Sequence, residues 1–570
     1  MGKREHSDRS EGHAGSAVTY VPENPIIVQS DHTILVEVAS PHFDAARDAL
    51  VAFAELVKSP EYVHTWRLTP LSLWNAAAAG HTAEQVISTL ERWAKFPVPA
   101  SIPDSVRDRM KKYGALSLVR DGEWLRLEGR EWSDIEAIRS LKAVDDLVDD
   151  SDGSGLRVHP RRRGELKQAL IAFGHPVEDL AEFNDGEALA MRLSQTTPQG
   201  RSWSMRDYQV AAVDAFHGGP GAGCGVVVLP CGAGKTLVGV AAMVRLGMRT
   251  LILCTGHTAL QQWRAEILRR TTLTEDDVGE YSSQKKEIRP VTLTTYQLLT
   301  WRRDKKAAPA HIGLFHQGRW GLIIYDEVHL LPAPVFREVA GVQARRRLGL
   351  TATLVREDGL EGDVFALIGP KRFDIPWRSL EARGWIATAR CVEVRIPLTD
   401  IDRARYLQLG ARERFVLASK NVRKGAVLTE LLDRHAQDQI LVLGTYIDQL
   451  EWLARRFKVP LVTGKTSRAE RDTLFRAFRA GECRVLVLSK VGNFAVDLPN
   501  ATVAVQVSGS WGSRQEEAQR LGRVLRAKEG SNQAVFYSLV SEDTREQEMA
   551  ERRQLFLAEQ GYPYRIEHIQ

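Results

Sequence analysis

The chain has 570 residues, 44% hydrophobic and 26% charged, a composition typical of folded protein and a length that calls for about three or four domains. Its formal net charge of +5 permits a polyanionic partner without demanding one. The cysteines Cys224, Cys231, Cys254, Cys391 and Cys483 form no C-x-x-C pair and no histidine-spaced cluster, which argues against a zinc or iron–sulfur centre and a disulfide framework; no run reaches the roughly 18 apolar residues of a membrane span, so a cytoplasmic protein is expected.

Residues 1–20 are polar and charged and read as a disordered tail. Residues 21–150 read as one mixed α/β or helical unit, with short strands at 26–29 and 33–38 and a helix over 45–56. Thr69 followed by Pro70 starts a helix that Gly80 stops, and Thr82 caps a second one ending near Trp93. The pair is either a helix-turn-helix or a packed αα-hairpin. Asp145, Asp146, Asp149, Asp150 and Asp152, with the glycines after them, mark a linker. A small unit over 151–197 opens with Arg161, Arg162 and Arg163, which suit either phosphate contacts or a solvated face, and continues in a helix over 165–173.

Beyond a second linker at 196–201 the pattern becomes regular. Short apolar runs at 226–229, 250–254, 291–294, 322–325 and 347–350, and again at 440–443, 461–463, 485–488, 503–507 and 535–539, alternate with helical stretches. Non-alternating apolar runs of this length are parallel strands covered on both faces. The fold class is therefore α/β, with two parallel-sheet domains in tandem, 201–376 and 377–570, and a cleft between them.

The chemistry gathers on these two domains. Arg206 and Gln209 precede the first strand, where an amide and a guanidinium could read an adenine edge. The run Val226 to Thr236 enters a turn in which Gly232, Ala233 and Gly234 let backbone N–H groups surround an anion. Lys235 would then meet the β- and γ-phosphates of a nucleotide, and the Thr236 hydroxyl would hold Mg²⁺. Leu229 stands where the general phosphate-loop pattern has glycine, which makes this the shorter variant of helicase-type motors. Asp326 and Glu327 end an apolar strand: Asp326 would hold Mg²⁺ directly or through water, and Glu327 would orient and deprotonate the attacking water. His329 would sense the state of the cleft, and Thr351 and Thr353 would couple it to a neighbouring surface. Gln519, Arg523 and Arg526 recur on one side of a helix, so that Arg523 or Arg526 can serve as an arginine finger toward Lys235.

Taken in order, Arg206-Asp-Tyr-Gln, Leu229 to Thr236, Thr294-Thr-Tyr-Gln, Asp326-Glu-Val-His, Thr351-Ala-Thr and Gln519 to Arg526 resemble the superfamily 2 helicases. Three stretches, 326–333, 350–359 and 489–499, resemble the XPB family within it. The resemblance implies an ATP- and Mg²⁺-dependent DNA motor of 3′→5′ polarity acting in nucleotide excision repair or a related transaction, with a structure-specific nuclease or other repair partner. It implies that Arg356, Glu357 and Asp358 help open the duplex, that Asp497 lies on the nucleotide, and that Thr255, Trp263, Thr294, Thr295, Thr445, Gly464, Ser489 and Lys490 track the strand. It also implies an XPB-like N-terminal domain, a small damage-recognition-like domain after it, and a thumb-like insertion within 400–423. Alternatives sharing these residues are a duplex translocase, an RNA helicase, or a non-hydrolysing DNA-binding scaffold.

Overall fold

Aliphatic runs buried along their whole length form the centres of two large sheets, and two smaller sheets, one antiparallel and one mixed, precede them. The computed structural model describes residues 20–59, 62–151, 155–181, 186–197, 200–218, 222–304, 310–311, 313–330, 344–354, 361–489, 501–511, 513–522, 532–562 and 564–569.

The first sheet is antiparallel, in the order β1 (Ile26–Val28), β2 (Thr33–Glu37), β4 (Val63–Arg67), β3 (Glu55–Lys58). The helix expected over 45–56 is shorter: it spans Phe43–Leu50, and the chain turns into β3. The period is helical only until Val51, after which Leu56 must face the core beside Trp66 as a strand residue. Helices Pro70–Ala78 and Ala83–Trp93 start at Thr69 and Thr82, whose hydroxyls accept from the N–H groups of Ser72 and Gln85. Both pack on a third helix, Ser101–Lys111, and share its apolar core. That places them in a helical layer over the sheet.

The second sheet runs β7 (Val148–Ser151), β8 (Leu156–Val158), β6 (Trp124–Gly129), β5 (Leu116–Asp121), β9 (Val177–Asp179). The acidic stretch expected to be a linker is thus partly strand, and the boundary expected at 150/151 falls inside one sheet. β7 is the end strand of its sheet and its Asp149 is exposed, and at such an edge strand composition is polar and resembles a loop. Arg163 is not a phosphate contact either. It is 2% exposed, donates from Nε to Asp179 Oδ2 at 2.8 Å and from Nη2 to the Ala181 carbonyl at 3.0 Å, and shares Asp179 with Lys167 at 2.9 Å. Burial opposes ionisation of Asp179, but Lys167, Arg163 and Arg347 together hold its carboxyl far below the ordinary carboxylate range. Arg347 belongs to the next sheet, so this buried charge joins two units.

Residues 186–197 then lie along that next unit. Glu187 pairs with Arg249 at 3.0 Å and Arg319 at 2.7 Å. The third sheet is wholly parallel, ordered β12 (Val278–Tyr281), β13 (Val291–Thr295), β11 (Thr250–Cys254), β14 (Leu322–Asp326), β15 (Arg346–Thr351), β10 (Cys224–Val228), β16 (Lys371–Asp374). The fourth is parallel too: β19 (Leu461–Val462), β20 (Val485–Leu488), β18 (Ile440–Leu443), β21 (Val503–Gln506), β22 (Gln533–Ser541), β17 (Thr388–Ile396), β23 (Tyr564–His568). The expected strands all occur. The edge strands β12, β16 and β23 carry Glu280, Lys371, Arg372, Arg565 and Glu567, which hides them from a search for apolar runs, and β17 alternates. Two helices, Asp400–Gln408 and Ala411–Ser419, occupy the segment expected to hold a thumb-like insertion.

Removing the shared partner leaves Arg163 and Lys167 buried and uncompensated, so Asp179→Ala should destabilise the protein by about 3–5 kcal/mol. Denaturant unfolding measures this, and a loss below about 1 kcal/mol would show that Asp179 is no junction between the units.

Candidate functional site

β10 delivers its chain into the glycine turn at its carboxyl end, the position where open parallel sheets bind ligands. Gly232 and Gly234 both adopt φ of 83°, the left-handed region, and Gly234 caps helix Lys235–Leu246. A Cβ on Gly234 would also come within 2.5 Å of Gln209 Nε2. The buried Ala233 between them has its carbonyl held by the Tyr208 hydroxyl at 2.8 Å and Gln209 Nε2 at 2.9 Å. Gln209 Oε1 accepts from the Arg206 backbone N–H at 3.0 Å. Both ends of the Gln209 amide are thus engaged by the protein, and the side chain shapes the loop rather than standing open to an adenine edge. The Arg206 guanidinium lies over the Trp385 ring, 4.2 Å from its centroid. Tyr208 and Trp385 were not selected from sequence, because their partners are remote in the chain.

β14 ends in the acids. Asp326 Oδ2 accepts from the Trp263 indole N–H at 3.0 Å, and its backbone carbonyl accepts from the Tyr296 hydroxyl at 2.8 Å. Glu327 turns the chain with φ of 49°, an uncommon conformation for a side-chain-bearing residue. The turn carries its carboxylate to 3.4 Å from Lys235 Nζ. Burial, and secondarily the charge of Glu327, raise the Asp326 carboxyl to about 6. Burial opposes the Lys235 charge, yet Glu327, Cys231 and Asp326 hold its amine above the usual range. His329 Nδ1 lies 2.6 Å from Thr351 Oγ1, which donates to the Thr353 carbonyl at 2.5 Å. An Nδ1–H imidazole satisfies that geometry and links the acid-bearing turn to the end of β15.

The second lobe reaches this site through helix Arg514–Leu521, capped at its start by the Ser513 hydroxyl. At its end, a Cβ on Gly522 would lie 2.3 Å from Cys231 Cβ and 2.8 Å from Cys231 Sγ. The helix therefore terminates against the phosphate loop, a contact between two small residues that no local pattern reveals. Gln519 on this helix is 5% exposed. Arg523 and Arg526, the next residues of the motif, lie outside the described residues. Arg520 is buried and donates to Gln506 Oε1 at 2.5 Å, the Ser508 carbonyl at 3.0 Å and Glu516 at 2.6 Å, which fixes the helix on the end of β21.

The expected strand-tracking residues divide. Thr255, Thr295, Thr445 and Gly464 follow or end strands β11, β13, β18 and β19 with some surface exposed. Trp263, Thr294 and Ser489 are 1%, 0% and 5% exposed and cannot meet a strand in this conformation. Trp263 serves Asp326 instead and packs against Gly239, whose absent side chain leaves it room. Arg356, Glu357, Asp358, Lys490 and Asp497 lie outside the described residues. Among the described residues no helix is long and apolar enough to cross a membrane.

Three family models match the chain: "ERCC3/RAD25/XPB C-terminal helicase" over residues 380–569, "Helicase conserved C-terminal domain" over 26–148, and "Type III restriction enzyme, res subunit" over 202–356. The chain is 54% identical to a "DNA 3'-5' helicase XPB" of Kineococcus radiotolerans, covering 95% of this chain and 96% of the relative. It is 52% identical to the protein of that name from Mycobacterium tuberculosis, covering 95% and 98%. A Saccharomyces cerevisiae relative, "General transcription and DNA repair factor IIH helicase/translocase subunit XPB/SSL2", is 32% identical over 95% of this chain and 71% of its own.

A carboxyl at about 6, raised from 3.8, contributes stability below pH 4 that is lost as pH rises through about 6. Metal-free Asp326→Asn, which retains an acceptor for Trp263, should therefore gain about 2–3 kcal/mol at pH 7 and only about 1 kcal/mol at pH 4.5. Thermal unfolding at the two pH values tests this, and a loss of stability at pH 7 would contradict the charge balance described for the site.

Proposed function

Because the chain belongs to the XPB family of DNA helicases, we propose that it is an ATP-dependent 3′→5′ DNA helicase or translocase acting in nucleotide excision repair or a related transaction. The observation that carries this reading is the seating of Gly522 against Cys231, which delivers the chain of the second lobe to the phosphate loop of the first. The motif that continues beyond Gly522 carries Arg523 and Arg526, which on this reading serve as the arginine finger toward the γ-phosphate, with Gln519 in the same motif.

ATP enters as substrate, with its phosphates among the N–H groups of Gly232 to Thr236 and its adenine near Arg206. Lys235 exchanges Glu327 for the β- and γ-phosphates. Glu327, released from the amine, orients and deprotonates the attacking water. Thr236 and Asp326 supply oxygen ligands of the kind a hard divalent cation takes, and the excess of negative charge around Asp326 fits one. Held by these residues, Mg²⁺ would supply neutralisation of the phosphate charge. Asp497 completes the nucleotide side. Strand contacts fall to Thr255, Thr295, Thr445, Gly464 and Lys490, with Arg356, Glu357 and Asp358 at the point of strand opening. Hydrolysis reopens the lobes, and alternating grip moves the strand.

The chain divides, on this reading, into an XPB-like unit at 21–111, a damage-recognition-like unit at 116–181, and two motor lobes at 201–376 and 377–570. A cytoplasmic location and a structure-specific nuclease or other repair partner complete the proposal. Lys235→Ala should lower DNA-stimulated ATP hydrolysis about hundredfold or more, and the wild-type protein should displace strands from duplexes with a 3′ tail but not a 5′ tail. Turnover stimulated by DNA without displacement would assign a duplex translocase, and turnover indifferent to DNA would overturn the reading.

A further inference from the structure

Thr255, Thr295 and Tyr281 stand at or just past the carboxyl ends of β11, β13 and β12, three consecutive strands running outward from the cleft to the edge of the first motor sheet. Adjacent strands lie about 4.8 Å apart, so the three positions form a line leading off the sheet. Gln297 ties the line together by donating to the Thr255 carbonyl at 2.8 Å, while Thr295 caps the short helix that follows it.

At the outer end of this line the surface changes character. Trp301 ends that helix with 52% of its surface exposed. Its ring lies 5.9 Å from the His311 ring, and His311 stands edge-on to Tyr281 with centroids 5.7 Å apart. The Tyr281 hydroxyl lies 3.2 Å from His311 Nδ1. Burial and the charge of Lys286 hold the His311 imidazole below its usual range, which favours the neutral ring. Lys286 sits over the Tyr281 ring at 4.5 Å, and the Ala310 N–H donates to the Trp301 carbonyl at 3.1 Å. Near these rings in the chain are Lys285, Lys286, Arg289, Arg302 and Arg303, with the acids Glu287 and Asp304, and of the cations all but the half-buried Arg302 are exposed. An exposed indole beside a His–Tyr–Lys group has the chemistry that holds a base by stacking and its phosphates by charge.

We propose that this edge cluster, resting on the motor reading above, is an additional single-stranded DNA subsite: Trp301 stacks a base of the strand after it has crossed Thr255 and Thr295, and Lys285 and Lys286 contact its phosphates. The subsite lies on one lobe and away from the nucleotide, so it lengthens the footprint without touching hydrolysis. It reads stacking surface rather than base edges and has no sequence preference.

The test is fluorescence anisotropy with labelled oligo-dT of increasing length, at several salt concentrations, on the full chain. Trp301→Ala should weaken binding of long oligonucleotides about tenfold, the scale of one lost base–aromatic stack, while leaving short ones and DNA-free ATP turnover unchanged. Trp301→Phe should restore most of the loss. The Lys285→Ala/Lys286→Ala pair should reduce the salt dependence of binding by up to about two phosphate contacts. Wild-type affinity for long oligonucleotides in Trp301→Ala overturns the subsite provided that DNA still stimulates the wild-type ATPase. If DNA does not stimulate it, the motor reading has failed instead. A uniform loss at every length, together with lost DNA-free turnover, assigns Trp301 to folding and also overturns the proposal.

Discussion

Three charges meet at the mouth of the first motor sheet, and only two of them cancel. Lys235 stands 3.4 Å from Glu327, while Asp326 lies beside them holding one indole hydrogen bond and a carboxyl raised to about 6. The surplus negative charge is costly in a buried site and would be relieved by a cation. The amine is paired with a carboxylate that it can exchange for phosphate. A site poised in this way is stable enough to fold and unbalanced enough to favour a metal–phosphate ligand.

Much of the surrounding structure keeps these charges in register. Gln209 and Tyr208 pull the Ala233 carbonyl to one side of the loop, Trp263 and Tyr296 fix Asp326 from below, and His329 ties the acid-bearing turn to Thr351. From the other lobe, the buried Arg520 network holds the helix that ends on Cys231. Further ties cross between units: Arg383 with Asp207 at 2.6 Å, and the Lys371 N–H with Asn75 Oδ1 at 2.9 Å. Asp179 does the same with a buried charge. The N-terminal core even incorporates Leu555 and Ala558 from the last long helix. The two motor lobes and both N-terminal units are thus joined by contacts remote in sequence.

The motor sheets were legible because buried parallel strands must be apolar throughout, and the phosphate loop because only glycine accepts its backbone. The polar edge strands were not, since charged residues such as Glu280, Lys371 and Arg372 interrupt their apolar runs. Nor did sequence distinguish a buried residue from an exposed one of the same type: the resemblance makes Trp263 a strand-tracking residue until Asp326 is found at its indole N–H, and Arg163 suits a phosphate contact or a solvated face until Asp179 is found beside it. The second sheet was misdivided for a related reason, because β7 places its acids on an edge. Contacts such as Gly522 with Cys231 carry no local signature, being the approach of a glycine backbone in one lobe to a small side chain in the other.

The central claim is that Glu327 neutralises Lys235 only until nucleotide arrives and then acts on water. The direct measurement is nucleotide affinity and turnover in Glu327→Gln. Binding of ATP as tight as in the wild type or tighter, with hydrolysis nearly abolished, is the outcome this account requires, because the amine is released to phosphate while the base is lost. Weakened ATP binding with hydrolysis retained would contradict it.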